Sequence, residues 1–322
     1  MRADRRKSLG LLTLALLVLL AVACIIAFMT LGARGSWAFV LGFRGVKLAA
    51  LVLVAYAIAV STVLFQTVVG NRILTPSIMG FDALYILLQT VLVFALGAGG
   101  LNAMDPRLMF VLEAALMTGF ALLLFRWLFS GATRSIHLVM LVGILFGGLF
   151  RSLSAFMQRL IDPADFVVLQ DRFFASFNTA NTDLLGISTV IILAVSVLAW
   201  RLLPDLDIML TGRETAIALG VSHARVVTLT LFAVTILVSV STALVGPVTF
   251  FGLLVANLAY MLMPSGRHRA VLPAAILIAV IALVGGQTVL ERVFSFGTAL
   301  SIIVEFAGGI FFIFMLLKGN VR

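Results

Sequence analysis

The chain has 322 residues, of which 63% are apolar and only 11% charged, with a formal net charge of +9. Soluble domains run near ~45–50% apolar and ~25% charged. This chain therefore has too little polar surface to cover a water-soluble globule, which excludes a soluble enzyme and a disordered polymer. The single cysteine, Cys24, excludes an internal disulfide and a cysteine-based metal site. The positive balance reads as basic loops beside a membrane, with no nucleic-acid partner.

A membrane-spanning helix takes about 20 apolar residues, so the composition suits about ten spans. Residues 9–33 carry no charged side chain, and that run is longer than the ~7–15-residue core of a signal peptide. The stretch Leu-Ala-Val-Ala-Cys ending at Cys24 has some likeness to a lipoprotein cleavage site. Ala21 stands where a larger aliphatic residue is usual, and the segment is read as a retained first helix. Hydropathy then places spans at 9–31, 46–69, 78–97, 108–128, 136–158, 185–203, 226–245, 250–263, 270–290 and 299–317. The eighth is short for a crossing and is accepted because a basic loop follows it. Residues 1–322 thus form one all-α integral membrane domain. Pro76, Pro106, Pro163, Pro204, Pro247, Pro264 and Pro273 are all expected at or near span ends. Trp37, Trp127 and Trp200 are expected in the headgroup zone.

An even number of spans puts both termini on one side, taken as cytoplasmic. Fourteen of the 22 basic residues then lie inside: Arg2, Arg5, Arg6, Lys7, Arg72, Arg126, Arg134, Arg201, Arg213, Arg225, Arg267, Arg269, Lys318 and Arg322. Arg34, Arg44, Lys47, Arg107, Arg151, Arg159, Arg172 and Arg292 lie outside, a bias of the right sign. Two connections are long: an outer gate or loop segment, 159–184, and an inner segment, 204–225.

Several chemistries are missing. No GxxxxGK[ST] loop exists, and none of Lys7, Lys47 and Lys318 follows a glycine, so ATP is not bound by that route. His137, His223 and His268 are scattered, and no metal site or cofactor is expected from them. No GxSxG elbow occurs. The chain is read as no enzyme.

Four stretches, in order, resemble the permease subunits of ABC importers for iron chelates and cobalamin. In residues 43–80, Arg44 and Lys47 match the family's basic pair three apart, Gln66 its glutamine, and Asn71, Pro76 and Gly80 its loop. Asn-Arg-Ile-Leu-Thr stands there in place of the usual start, Asn-Pro-Leu-Ala. In residues 210–225, Gly212, Ala216, Leu219, Gly220 and Val221 match the cytoplasmic coupling segment. In residues 246–273 the family reads Gly-Pro-Ile-x-Phe-Val-Gly-Leu and then Pro-His-x-x-Arg; here Ala256, Asn257 and Tyr260 replace the Pro, His and Arg. Residues 297–318 resemble the closing helix. The variant loop and the Ala-Asn pair look most like the catecholate-siderophore branch.

The resemblance implies a type II ABC importer permease in the bacterial cytoplasmic (inner) membrane. It would move a ferric siderophore, of catecholate type, using ATP hydrolysed on separate ATP-binding subunits. A second permease chain, homologous or identical, and an extracytoplasmic siderophore-binding protein would complete the assembly. The coupling segment is expected as two short helices hinged at Gly220, with Met209, Ala216, Ile217, Leu219 and Val221 as an exposed ridge that the ATPase covers. A helix lying on lipid is the other reading. Arg44, Lys47 and Arg292 are expected to pair with acidic residues of the binding protein, or else to snorkel. Gly143, Gly147 and Gly148 allow close helix approach on the fifth span, where the resemblance places pore lining. Gly143, Gly147 and Arg151 are the pathway residues expected there. Arg151 either favours entry of an anionic complex, snorkels, or pairs with Glu113 or Glu305. Asp82, Glu113 and Glu305, inside spans, are read as structural pairs or cavity lining rather than as a proton relay. The rival function is an ion-coupled secondary transporter of a small solute.

Overall fold

The computed structural model describes residues 2–32, 36–129, 136–178, 181–294 and 299–317, and every regular element among them is a helix. In chain order these are α1 (Arg2–Thr30), α2 (Trp37–Val69), a 3-10 turn (Pro76–Met79), α3 (Phe81–Ala103), α4 (Pro106–Phe129), α5 (Ile136–Gln158) and α6 (Pro163–Asp171). There follow α7 (Thr182–Met209), α8 (Arg213–Ala218), α9 (His223–Val245), α10 (Phe251–Leu262), α11 (His268–Arg292) and α12 (Leu300–Leu317). Arg34, Arg134, Gly297, Thr298, Lys318 and Arg322 lie outside the described residues, as do the side chains of residues 2–7, Arg126 and Trp127.

Eight of these helices, α1 to α5, α7, α9 and α11, are long and apolar enough to cross a membrane; α10 and α12 are shorter and apolar. The reason is local. Uncharged runs of Leu, Val, Ile and Ala satisfy their backbone groups internally, which a hydrocarbon solvent demands. The ends carry the caps that helices need. Asp162 accepts from the Ala164 N–H at 2.9 Å with Pro163 at the first helical position, and Asn181 accepts from the Asp183 N–H at 2.8 Å.

Two prolines depart from the expected punctuation. Pro204 lies inside α7 and Pro273 inside α11. Pro273 falls in the second turn of its helix, and the carbonyl it leaves without a partner belongs to the exposed Arg269 in the first turn. The carbonyl that Pro204 leaves without its intrahelical partner belongs to Trp200, near the exposed end of a span. The expected eighth span is α10, 12 residues long, or ~18 Å against a ~30 Å hydrocarbon core. The non-helical residues 246–250 precede it.

α2, α9 and α11 form the centre. α2 packs on α9 and α11, α7 and α4 on α9, and α1 and α10 on α11. The core between them is rich in Ala and Val, such as Ala55, Ala59, Val234, Ala275 and Ala279. Small side chains allow close approach where lipid supplies no hydrophobic drive between helices. α1, α5, α7 and α12 carry exposed leucines, isoleucines and phenylalanines on their outer faces.

Candidate functional site

The face expected to lie inside is built around α8. Its end is a Schellman cap: the Val221 N–H donates to the Ala216 carbonyl and the Gly220 N–H to the Ile217 carbonyl, both at 3.0 Å. Gly220 has φ +88°, the left-handed conformation this cap requires. Ala216 and Val221 make the accompanying apolar contact and are both buried. Gly212, φ +102°, turns the chain into α8. The expectation of two short helices hinged at Gly220 is thus corrected: Gly220 terminates one short helix, and the next helix, α9, is a long one. The ridge is corrected as well. Met209, Ala216 and Val221 face inward, and the exposed apolar residues are Leu210, Ile217 and Leu219. Inward-facing small residues anchor the segment, so the neighbours on its outer side form the ridge.

Behind this segment, three distant residues meet. Asp207 of α7 accepts the His268 backbone N–H at 2.8 Å and lies 2.6 Å from His268 Nδ1; His268 Nε2 is 2.9 Å from Thr67 Oγ1. Asp207 therefore caps α11 from another helix, in place of the N-cap residue Arg267, which makes no side-chain cap. His268 is 1% exposed. Positions 67, 207 and 268 share no local pattern, and sequence reasoning missed them.

At the face expected to lie outside, the three expected docking residues converge. Arg44 Nη1 donates to the carbonyls of Phe28, Met29 and Leu31 at 2.8, 3.1 and 2.9 Å. A cation thus neutralises the C-terminal end of α1. Arg292 packs over Gly32 and its side chain is exposed. Lys47 pairs with Glu291 at 2.8 Å, and both side chains are under 10% exposed. Lys47 and Arg44 are thus held by the protein itself, while Arg292 faces outward.

On α5, Gly143 and Gly147 press against Met79 and Gly80. A Cβ at Gly147 would lie 3.1 Å from the Gly80 Cα, and one at Gly143 would lie 3.1 Å from the Met79 carbonyl oxygen. Both glycines are buried and set how closely α5 approaches the 3-10 turn. Arg151 lies on the exposed face, and among the described residues no ion pair joins it to Glu113 or Glu305. Glu113 instead accepts from Gln89 at 2.6 Å.

A vestibule of about 730 Å³ lies between α3, α4, α6, the C-terminal end of α9 and the C-terminal end of α11, in the half expected to lie outside. Tyr85, Glu113, Arg172, Asn178 and Gln287 line it. Gln287 donates to Asn178 at 3.2 Å and to Glu291 at 3.0 Å, which ties the vestibule to the Lys47 pair. The outer segment closes on it through α6. There the Asp165 Oδ1 accepts the Ala98 N–H at 3.1 Å, just past a break in α3 at Gly97.

A bundle of long apolar helices around a vestibule of this size is the architecture of a membrane permease. Residues 8–318 match the FecCD transport family, and the chain belongs to it. It is 49% identical over 307 residues to the petrobactin import system permease protein YclO of Bacillus subtilis, covering 95% of this chain and 97% of that one. It is 36% identical over 275 residues to the petrobactin import system permease protein FatC of Bacillus anthracis, covering 85% and 78%. A solved structure described as an inward-facing metal-chelate type ABC transporter aligns with TM-score 0.83 at 22% identity, over 96% of this chain and 99% of that one. The chain is therefore a multi-pass inner-membrane permease subunit of an ABC importer and not an enzyme. Its family implies ATP-binding subunits, a partner permease and a binding protein.

Proposed function

We propose that this permease carries a ferric siderophore of the catecholate type into the cytoplasm, as one wall of a pathway formed with a second, homologous permease chain. The observation that carries the reading is its 49% identity, over nearly all of both chains, to a permease named for petrobactin import. Ten helices cross the membrane, with both termini in the cytoplasm. The ATPase seats on Leu210, Ile217 and Leu219, and Gly212, Ala216, Leu219, Gly220 and Val221 transmit its closure. Apolar side chains exposed to the aqueous side of a membrane need a partner to cover them, and a Schellman-capped helix is stiff enough to pass on a displacement. The siderophore-binding protein docks on the outer cluster, with Arg292 meeting its acidic residues and Arg44 and Lys47 holding the platform. Arg151 draws the anionic ferric complex along α5, which Gly143 and Gly147 hold in place. The outer segment 159–184 gates the vestibule through α6.

The test is uptake into proteoliposomes holding the complete importer, with ferric petrobactin and a ferric hydroxamate as competing cargoes. ATP-dependent uptake of the first, and little of the second, is expected. Uptake driven by an ion gradient without ATP would overturn the reading.

A further inference from the structure

A small cavity of about 20 Å³ lies where α2, the 3-10 turn, α3, α9 and α10 meet. Its lining includes Ser61, Thr62, Thr75, Asp82, Ser241 and Thr249. Asp82 is 8% exposed and Thr75 2%, and neither Asp82 Oδ2 nor Thr75 Oγ1 has a hydrogen-bond partner. The Ser61 and Ser241 hydroxyls donate to the carbonyls of Ile58 and Val238 at 3.1 and 3.0 Å. Their protons face backbone, so only lone pairs remain for the cavity. No Lys, Arg or His lines it. The charged groups whose fields reach Asp82 are Glu305, of the same sign, and Arg151, whose side chain lies on the exposed face of α5.

We propose that this cavity is a binding site for a small monovalent cation of the sodium class, held by the Asp82 carboxylate and the Thr75 hydroxyl. The space fits one water-sized body. The donors are all hard oxygens, which select alkali and alkaline-earth ions over softer metals. A single carboxylate suits one positive charge, whereas divalent sites gather several charged or hydrated ligands. Asp82 stands in the first turn of α3, where the helix dipole offsets part of the cost of burying its charge, and a cation at the unpartnered Oδ2 would offset the rest. The backbone around the cavity is interrupted: residues 70–75 and 246–250 are non-helical. Discontinuous helices at membrane depth are where protein-bound alkali ions are held. The close packing at Gly252, where a Cβ would fall 2.2 Å from Thr62 Oγ1, keeps the wall rigid. The ion's role here is to clamp five segments together; the energy for transport still comes from ATP.

The experiment uses the purified importer complex in detergent, with sodium, potassium or choline chloride at equal ionic strength. Saturable binding of radioactive sodium, one ion per permease chain, is expected, and so is a melting temperature about 3 °C or more higher in sodium than in choline. Asp82→Asn should abolish both effects. Thr75→Val should weaken sodium affinity about tenfold, the scale of one lost ligand at ~1.4 kcal/mol, and decides the matter if Asp82→Asn does not fold. Absence of saturable sodium binding in the unaltered complex, or its survival in either variant at full strength, overturns the proposal. Neither readout depends on which siderophore is carried.

Discussion

The guanidinium of Arg72 lies over the ring of Tyr260, 4.5 Å from its centroid. The Arg72 carbonyl accepts from Gln66 at 2.6 Å and from Asn257 at 3.1 Å. Arg72 stands where the family pattern has proline, Tyr260 where it has arginine, and Asn257 where it has histidine. Three departures, in two stretches almost 200 residues apart, are one local replacement. A loop that has lost the rigidity of proline is tied down by an amide and a cation–π contact.

That pairing predicts coupling. Arg72→Ala and Tyr260→Ala should each destabilise the chain, with the cation–π contact contributing about 0.5–2 kcal/mol. The double variant should lose measurably less than the two single losses added together. A double-mutant cycle on thermal melting in detergent checks this, and strictly additive losses would dismiss the contact as incidental.

The inner ridge separates two kinds of substitution on one short helix. Ile217 and Leu219 are 51% and 63% exposed, while Ala216 is fully buried. Ile217→Glu with Leu219→Glu should leave the permease folded, with an unchanged melting temperature, yet reduce co-purification of the ATP-binding subunit at least tenfold. Ala216→Leu overpacks the seat of α8 and should cost about 1–3 kcal/mol, seen as a lower melting temperature before any partner is added.

Much of this was legible in the chain because a membrane simplifies the reading. Long apolar runs locate α1, α2, α5 and α9 to within a few residues of their observed ends, apart from the N-terminal extensions of α1 and α2. Gly220 is legible as a break after a helix, but the sequence reads there as a hinge between two short helices, whereas the glycine followed by Val221 closes α8 as a Schellman end. What stayed hidden was three-dimensional pairing. Nothing in the sequence says that Lys47 meets Glu291, 244 residues away, or that Asp207 reaches His268. Amphipathicity also misleads on α8: six residues give less than two turns, and the inward face is fixed by small side chains that hydropathy alone cannot distinguish from a ridge.

The Lys47–Glu291 pair should betray itself through stability rather than docking. Removing one member of a buried pair leaves an uncompensated charge and costs about 3–5 kcal/mol, while replacing both with apolar residues of similar size is often nearly neutral. Lys47→Ala should therefore lower the melting temperature sharply, and Lys47→Met with Glu291→Leu should recover most of it. Arg292→Glu, at an exposed rim position, should slow association with the binding protein, increasingly so at low salt. Association measured by surface plasmon resonance, alongside melting curves, separates the two effects.

Arg151 offers a different signature. It is exposed on α5 and has no ion-pair partner among the described residues, so Arg151→Ala should leave assembly with the ATP-binding subunits unchanged. Uptake of an anionic ferric complex should fall several-fold, and Arg151→Lys should restore part of it. Unchanged uptake would return Arg151 to ordinary snorkelling at a membrane surface.

The contact between Asp207 and His268 joins the helix leading into α8 to the start of α11, and through Thr67 to α2. α2 and α11 belong to the buried centre of the bundle. Any displacement of α8 therefore has a hydrogen-bonded route into the core that does not cross lipid-facing packing. Asp207→Ala removes the cap of α11 and leaves the His268 N–H and ring without their acceptor, at about 1–3 kcal/mol. Asp207→Asn keeps an acceptor for the backbone N–H and should recover most of that stability. If the contact also transmits motion, Asp207→Ala should lower the number of cargo molecules moved per ATP hydrolysed, measured in proteoliposomes at a temperature where the variant is fully folded. Asp207→Asn should restore that ratio only in part, because a neutral amide binds the imidazole less strongly than a carboxylate does. A variant that is less stable yet fully coupled would confine Asp207 to capping, since lost stability alone reduces the number of working complexes without altering the ratio in those that remain.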